Sequence, residues 1–289
     1  MNRREFMKLS SLALGGSVVV PTATYAVAIE PTWLEVRRLA VPIPRLPSGL
    51  DRLRVVQISD IHRSTQVGAS YVANAIEEAL ALEPELVLLT GDFITHDPAM
   101  FADVAKLLAP LAQVAPAFAV PGNHDYDHWY SWAEPGMPEG GERLGEALAR
   151  HNVELLRNEA RVVSLRNGGG RLELVGLDDF WSAKFEPGAA FSRCSPDDLP
   201  RLVMAHNPDS YRSISHERFD LMLSGHTHGG QIQLPLIGVP YTTVQDSRFV
   251  AGLATADSHL VYTNRGLGWN RRIRLGVRPE ITMIELFAS

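Results

Sequence analysis

The chain has 289 residues, of which 45% are hydrophobic and 21% are charged, and these fractions exclude a disordered, collagen-like or coiled-coil chain. Its 33 acidic residues outnumber the 27 lysines and arginines, and the formal net charge of −6 argues against non-specific binding of nucleic acid. The single cysteine, Cys194, cannot form an intramolecular disulfide or build a thiolate metal cluster.

The first element is a basic head followed by a short apolar run. Arg3 and Arg4 precede the run Leu9–Val20, and small residues follow near Ala26, which is the pattern of an export signal. The run is interrupted by glycine and serine and is short for a permanent membrane span, which needs about 20 apolar residues. We therefore expect residues 1–26 to be a signal cleaved after Ala26, with an uncleaved anchor as the alternative.

The paired arginines resemble those of the bacterial twin-arginine signal, a route that carries folded proteins. The resemblance implies the twin-arginine export machinery as a partner, and a location in the periplasm or on the outer face of the cytoplasmic membrane. Residues 27–289 contain neither an internal repeat nor a low-complexity linker. We expect them to form a single domain.

Strands and helices alternate in the first half of the body. Short apolar or β-branched runs predict strands, and apolar residues at helical spacing predict helices. The βαβαβ order indicates a parallel sheet with helices packed against it. The second half has more strands and fewer long helices. The predicted strands are Arg54–Ser59, Leu86–Thr90, Ala117–Val120, Leu172–Gly176, Leu202–Ala205, Leu221–Ser224, His259–Tyr262 and Ile281–Leu286, and the predicted helices are Tyr71–Leu82 and Ala99–Leu111.

Metal-binding side chains directly follow five of these strands. Because ligands bind beyond the carboxyl ends of strands in open α/β sheets, we expect these side chains to converge in one crevice. Imidazoles and carboxylates buried together without a cation are costly to desolvate, and they suit manganese, iron or zinc. About seven ligands are too many for one tetrahedral ion and fit two adjacent ions, with Asp92 as a bridge. The residues are Asp60, His62, Asp92, Asn123, His124, His206, His226 and His228.

Five motifs in this order resemble those of the calcineurin-like metallophosphoesterases. The extension Gly229-Gly230-Gln231 is similar to the exported bacterial YkuE/YaeI-like phosphodiesterase subgroup. The resemblance implies an α/β fold, a four-layer αββα sandwich in which two mixed β-sheets are flanked by helices. The motifs are Asp60-Ile61-His62, Gly91-Asp92, Gly122-Asn123-His124-Asp125, His206 and Gly225-His226-Thr227-His228.

The resemblance also implies the ligands of two divalent ions and a mechanism. Water between the ions is activated to attack phosphorus in line, and His124 protonates the leaving oxygen as general acid. Many relatives support that histidine with an acidic residue, but Thr95 stands near its place here; either Asp97 substitutes or the support is absent. The ligands implied are Asp60, His62, Asp92 and His228 for one ion, and Asp92, Asn123, His206 and His226 for the other.

Arginines near the motifs are candidates for contacts with substrate phosphate. Arg63 follows the first motif at the mouth of the site, and a solvated loop arginine is the alternative. Arg265 follows a strand and is a second candidate. It is also expected to join a basic rim, for which a solvated hairpin is the alternative. The other members of that rim are Arg271, Arg272 and Arg274.

An aromatic segment follows the third motif. Trp129, Tyr130 and Trp132 lie close together there. Exposed aromatic side chains beside a site grip an apolar or ring-bearing substrate, or contact a membrane or cell-wall surface. Packing of this loop onto the body is the alternative.

The sequence therefore predicts a monomeric, metal-dependent enzyme that hydrolyses phosphoesters, in the first instance phosphodiesters. A second enzyme hypothesis is a pyrophosphatase of lipid-linked nucleotide sugars of the UDP-diacylglucosamine type. The aromatic segment favours it, whereas export argues against it because UDP-sugars are cytosolic. A third hypothesis is a non-catalytic module that binds metal or cell wall, but the presence of His124 beside a full ligand set argues against it.

Overall fold

The computed structural model of the chain describes residues 20–129 and 136–289. Within these residues, the strands form two six-stranded sheets. The strands are β1 (Glu35–Ile43), β2 (Leu53–Ile58), β3 (Leu86–Thr90), β4 (Ala117–Val120), β5 (Val153–Leu155), β6 (Glu159–Leu165), β7 (Gly170–Gly176), β8 (Arg201–Met204), β9 (Leu221–Ser224), β10 (Gly252–Ala256), β11 (His259–Thr263) and β12 (Glu280–Ala288).

Both sheets are mixed. The first has the order β1-β12-β2-β3-β4-β5, and only its β12–β2 pair is antiparallel. The second has the order β10-β11-β9-β8-β7-β6, and its antiparallel pairs, β10–β11 and β6–β7, lie at the two edges. The central strands of each sheet are therefore parallel, and their carboxyl ends point to one side.

The sheets pack against each other through a buried apolar layer. Val55 and Leu88 of the first sheet and Leu174 and Leu221 of the second belong to it. The central strands are apolar on both faces because helices cover the outer side of each sheet. This arrangement confirms the predicted four-layer αββα sandwich. The helices are α1 (Ala69–Leu80), α2 (Met100–Val114) and α3 (Gly140–Ala149) on the first sheet, and α4 (Pro187–Phe191) and α5 (Tyr211–Ile214) on the second.

The start of the described chain is bonded to the body of the domain. Residues 20–32 are helical, in α, π and 3-10 turns. The Ala26 carbonyl accepts a hydrogen bond from the Arg274 backbone N–H at 2.9 Å. The buried Glu30 carboxylate accepts from the backbone N–H groups of Gly276 and Val277 at 3.0 and 2.6 Å. Cleavage after Ala26 stays a prediction. The peptide bond between Ala26 and Val27 lies inside this helical segment.

Most of the expected export signal, residues 1–19, lies outside the described residues. In the ranges that the structure does describe, no helix combines the length and the apolar character that crossing a membrane requires.

Candidate metal centre

Seven predicted ligands come together where the two sheets meet. Loops after β2, β3 and β4 of the first sheet and after β8 and β9 of the second carry them to the same edge of the sandwich. Backbone hydrogen bonds connect these loops, for example from the Asp60 N–H to the Gly91 carbonyl and from the Gly225 N–H to the His206 carbonyl. All seven are buried. They are Asp60, His62, Asp92, Asn123, His206, His226 and His228.

The backbone at this edge adopts an uncommon conformation. Asp60, His62, Asp92, His226 and His228 all have positive φ angles, between 50° and 72°. Side-chain-bearing residues adopt this left-handed conformation at a free-energy cost, and such residues cluster at functional sites. Five of them around one point indicate that the fold maintains these side-chain directions against local preference.

One half of the centre contains Asp60, His62 and His228. The Nε2 atoms of His62 and His228 face each other at 3.0 Å. The Asp60 Oδ1 lies 3.5 Å from the His228 Nε2, and the Asp92 Oδ2 lies 3.5 Å from the His62 Nε2. Ligands bound to one zinc-sized ion at about 2.1 Å are spaced by about 3 Å from each other, so these four atoms fit a single cation.

The other half contains His206, Asn123 and His226 and shares Asp92 with the first. The Asp92 Oδ2 lies 3.2 Å from the His206 Nε2, and the His226 Nδ1 lies 2.9 Å from the Asn123 Oδ1. The Nε2 atom of His206 is buried and, although it faces the Asp92 carboxylate, makes no well-directed hydrogen bond in the described residues. Buried polar atoms without such bonds are rare in folded proteins, and a second cation would satisfy this one.

The ionisation of the centre suits a cation. Burial lowers the pKa of His62 to about 3 and that of His226 to about 3, so both imidazoles are neutral. Burial would also lower the pKa of His206, but the carboxylate of Asp92 outweighs it and the pKa rises to about 10. Burial would raise the pKa of Asp92, but the surrounding imidazoles, led by His206, hold it well below its usual range. Without a cation, the ionised Asp92 is therefore paired with a protonated His206, and a transition-metal ion that binds these donors would displace the His206 proton.

Neighbouring groups fix the orientation of the ligands, as metal sites generally require. The His206 Nδ1 lies 2.7 Å from the Thr90 carbonyl, which fixes the direction of its Nε2. The Asp60 carboxylate accepts from the His226 backbone N–H at 2.9 Å, across the two sheets. Asp125, which follows His124 in the third motif, accepts from three backbone N–H groups and joins the loops after β3 and β4.

His124 lies beside the centre and is bonded through both ring nitrogens. Its Nδ1 lies 2.9 Å from the Thr95 backbone carbonyl, and its Nε2 lies 2.8 Å from the amide nitrogen of Asn270. The support for His124 is therefore a main-chain carbonyl. Neither of the two alternatives for this support holds, because the Asp97 carboxylate instead accepts from the Ala99 backbone N–H and the His124 Nδ1 has the Thr95 carbonyl as its partner. Asn270 was not predicted from the sequence to lie at the site.

A cleft of about 360 Å³ opens onto these residues. Its walls combine metal-centre side chains with Trp129, Tyr241, Asn270 and Arg271. The Trp129 ring packs edge-on against the His124 ring, with centroids 4.7 Å apart. Tyr130 and Trp132, also predicted to approach the site, lie outside the described residues.

The structure does not bring Arg63 and Arg265 to this cleft. The Arg63 guanidinium pairs with Asp103 and donates to nearby backbone carbonyls. Arg265 pairs with the carboxylates of Glu280 and Glu35. These ion pairs occupy the two guanidinium groups that the sequence assigned to substrate phosphate.

The predicted basic rim is also smaller than expected. Arg274 is fully buried, and its guanidinium donates to the carbonyls of Gly266 and Gly268. Its Nη2 lies 3.3 Å from the His228 Nδ1, so it places a cation behind a ligand and not at the surface. Arg271 and Arg272 remain exposed, and Arg271 lines the cleft.

A sixth strand end, that of β7, also reaches the centre. Asp179 follows β7, is buried, and leaves its Oδ1 without a hydrogen-bond partner in the described residues. The Trp181 ring packs edge-on against the His226 ring, with centroids 4.9 Å apart. Asp179 was not predicted from the sequence to lie here. Asp178-Asp179 follows the apolar run Leu172–Gly176 in the same way as the predicted ligands follow their strands.

Comparison with known proteins finds one matching family and several similar full-length proteins. Residues 53–230 match the family model of calcineurin-like phosphoesterases. The chain is 36% identical to phosphodiesterase YaeI of Escherichia coli (strain K12), with 99% of each chain covered. It is 30% identical to the uncharacterized metallophosphoesterase YkuE of Bacillus subtilis (strain 168), over 99% of this chain and 98% of that one. It is 29% identical to UDP-2,3-diacylglucosamine pyrophosphatase LpxG of Chlamydia muridarum (strain MoPn / Nigg), over 95% of this chain and 96% of that one.

Proposed function

The chain belongs to the calcineurin-like phosphoesterase family, and on that premise we propose that it hydrolyses phosphodiesters with two divalent ions held between its sheets. Membership confirms the predicted family and enzyme class: the protein is a metal-dependent hydrolase of phosphoester bonds. The observation that carries the proposal is the position of Asp92, whose Oδ2 lies 3.5 Å from the His62 Nε2 and 3.2 Å from the His206 Nε2.

The chain's own residues hold the reacting groups in place. When bound, two divalent ions activate water for attack on phosphorus and neutralise charge on the phosphoryl oxygens. Asp92 would contact both ions from the centre of the site. Arg271, on the wall of the cleft, is placed to bind a non-bridging phosphate oxygen. The remaining ligands would be Asp60, His62 and His228 for one ion, and Asn123, His206 and His226 for the other.

His124 is assigned the role of general acid. The Thr95 carbonyl accepts from its Nδ1–H, and in the neutral ring the Nε2 accepts from the Asn270 amide N–H. To act as general acid the ring must take up a proton at this Nε2, which displaces the Asn270 amide. The Nε2 lies at the cleft, beside Asn270, where a leaving oxygen would arrive. General acid catalysis of this kind contributes about 100- to 10,000-fold in rate. His124→Ala is therefore expected to keep its metal and to lose rate most with poor leaving groups.

The phosphodiester assignment rests on the similarity to YaeI over the full chain. The alternative, a pyrophosphatase of lipid-linked nucleotide sugars, is supported by the similarity to LpxG and by aromatic side chains at the cleft. Trp129 and Tyr241 line it beside the metal ligands, and aromatic faces suit a nucleobase or an acyl chain. A non-catalytic role remains disfavoured, because His124 and the ligand set are assembled in one place.

One assay distinguishes these substrates. The purified protein is loaded with manganese, iron or zinc and tested on bis(p-nitrophenyl) phosphate, p-nitrophenyl phosphate and a lipid-linked diphosphate. Preference for the first supports the diesterase, whereas preference for the third supports the pyrophosphatase. Preference for the monoester would contradict both.

Three further properties are proposed from the sequence. The metal ions are manganese, iron or zinc, because the donor set has imidazole and carboxylate but no thiolate. The twin arginines and apolar run of residues 1–26 favour twin-arginine export to the periplasm or to the outer face of the cytoplasmic membrane. The protein is proposed to act as a monomer. Elemental analysis, cell fractionation and light scattering test these properties in turn.

A further inference from the structure

Three segments that are connected by backbone hydrogen bonds form one surface, and two of them line the cleft. They are the N-terminal segment, residues 20–33; the tip segment, residues 231–241; and the arginine segment, residues 269–278. Leu275 of the arginine segment exchanges backbone hydrogen bonds with Gln231 and Gln233 of the tip segment, at 2.9 and 2.7 Å. The arginine segment also binds Ala26 and Glu30 of the N-terminal segment. It therefore connects the other two.

Large apolar side chains are exposed on this surface. In the tip segment, Leu236 is fully exposed, and Ile237 and Tyr241 are 71% and 68% exposed. In the N-terminal segment, Trp33 is 52% exposed, with Val20, Val27 and Ile29 similarly exposed. Single exposed apolar residues are ordinary, but most of those in the described chain fall in these two connected segments. Such concentration marks an interaction surface.

Backbone hydrogen bonds hold Leu236 at the exposed end of a tight turn. The backbone N–H groups of Ile237 and Gly238 both donate to the Leu234 carbonyl, and Leu234 donates to the Gly238 carbonyl. The chain closes on itself there and leaves Leu236 and Ile237 at the end of the turn. No acidic or basic residue occurs between His228 and Asp246. The tip can therefore enter an apolar medium without burying a charge.

The charge of this surface is opposite to that of the whole chain. The exposed or half-buried charged groups of the three segments are three arginines, Arg271, Arg272 and Arg278, whereas the chain carries a net charge of −6. The other two charged groups, Glu30 and Arg274, are buried. Apolar tips, interfacial aromatic rings and adjacent arginines are the combination that binds anionic lipid.

We propose that this surface binds an anionic lipid bilayer, with Leu236 and Ile237 entering the headgroup region. Charge complementarity supports an anionic bilayer over a protein partner, because an uncharged apolar tip lies next to the exposed arginines Arg271 and Arg272. Gln231, Tyr241 and Arg271 belong both to this surface and to the wall of the cleft. A phosphoester at the membrane surface would thus lie beside the metal centre. Only this last consequence depends on the proposed function.

Vesicle co-sedimentation of the full chain tests the proposal. Vesicles of phosphatidylcholine are compared with and without phosphatidylglycerol. The unsubstituted protein is expected to bind the anionic vesicles more tightly, and added salt is expected to weaken binding. The double variant Leu236→Ser/Ile237→Ser is expected to bind at least about tenfold more weakly, because two exposed apolar side chains are lost. The matched control is Val114→Ser/Val162→Ser, two exposed apolar residues elsewhere, which should bind like the unsubstituted protein.

Hydrolysis of soluble bis(p-nitrophenyl) phosphate is measured on the same samples. The double variant should keep it, because neither residue lines the cleft. Equal vesicle binding by the double variant and the control overturns the proposal, as does equal binding to neutral and anionic vesicles. A dimer that the double variant converts to a monomer also overturns it, since the surface would then be a protein interface. Absence of hydrolysis in every sample contradicts the proposed function and leaves the vesicle result standing.

Discussion

The amide nitrogen of Asn270 lies 2.8 Å from the Nε2 of His124. This contact joins a loop near the end of the chain to the turn that follows β4. Because the Thr95 carbonyl binds the opposite ring nitrogen, the His124 ring is held at both ends. Asn270 thus positions the nitrogen that we assign to proton transfer.

Asn270→Ala is expected to lower kcat by about tenfold with poor leaving groups, a part of the contribution of general acid catalysis, while metal content stays unchanged. Thr95→Ala is the matched control, because the carbonyl that binds His124 belongs to the main chain and survives the substitution. Initial rates with a series of aryl phosphodiesters measure the effect. A loss that is uniform across all leaving groups would argue against positioning of His124.

Asp92→Ala is expected to remove paired metal binding and to lower kcat/KM by at least about 1,000-fold. The reason is that its carboxylate faces imidazoles of both half-sites, and a two-ion mechanism needs both ions. Inductively coupled plasma mass spectrometry of the purified variant gives the metal content. Asp97→Ala, whose carboxylate accepts from the Ala99 backbone N–H and is not among the ligands, is the control. Retention of two ions by Asp92→Ala would refute the bridging role.

Arg271→Ala is expected to raise KM by about tenfold with little change in kcat, because Arg271 lines the cleft and is free to contact substrate phosphate. Arg272→Ala, the neighbouring exposed arginine, should leave KM close to its original value. Steady-state kinetics with a phosphodiester gives both constants. Equal KM values for the two variants would mean that Arg271 does not bind the substrate.

Glu30→Ala is expected to lower the free energy of unfolding by about 1–3 kcal/mol. The substitution leaves the backbone N–H groups of Gly276 and Val277 without the carboxylate that now accepts from them. Urea unfolding followed by tryptophan fluorescence measures the change. The control is Glu186→Ala, an exposed glutamate, for which little change is expected. Equal stability of the two variants would show that this contact does not secure the N-terminal segment.

The metal centre could be predicted from the sequence because its ligands share one local feature, a position just after an apolar strand. Each of Asp60, Asp92, Asn123, His206 and His226 closely follows an apolar strand, and parallel strands of one layer end on one side. The four edge strands β1, β5, β6 and β10 were missed; in β1, exposed Arg37 and Arg38 interrupt the apolar pattern.

Contacts between distant loops could not be read from the sequence. Asn270 meets His124 because the arginine segment folds back over the loop after β4, and nothing in the local pattern encodes that. Arg63 and Arg265 were assigned to substrate phosphate from their positions along the chain, and Arg274 was assigned to a basic rim. Their carboxylate and carbonyl partners, such as Asp103 and Glu280, come from other parts of the chain.

Metal content and activity measured on one sample test the central claim most directly. The chain is stripped with a chelator, reloaded with manganese, iron or zinc, and assayed on bis(p-nitrophenyl) phosphate while bound metal is counted. The structure predicts that hydrolysis returns as metal binding approaches two ions per chain, since Asp92 joins the two half-sites. Two bound ions with no hydrolysis, or full hydrolysis by the metal-free chain, would contradict the claim.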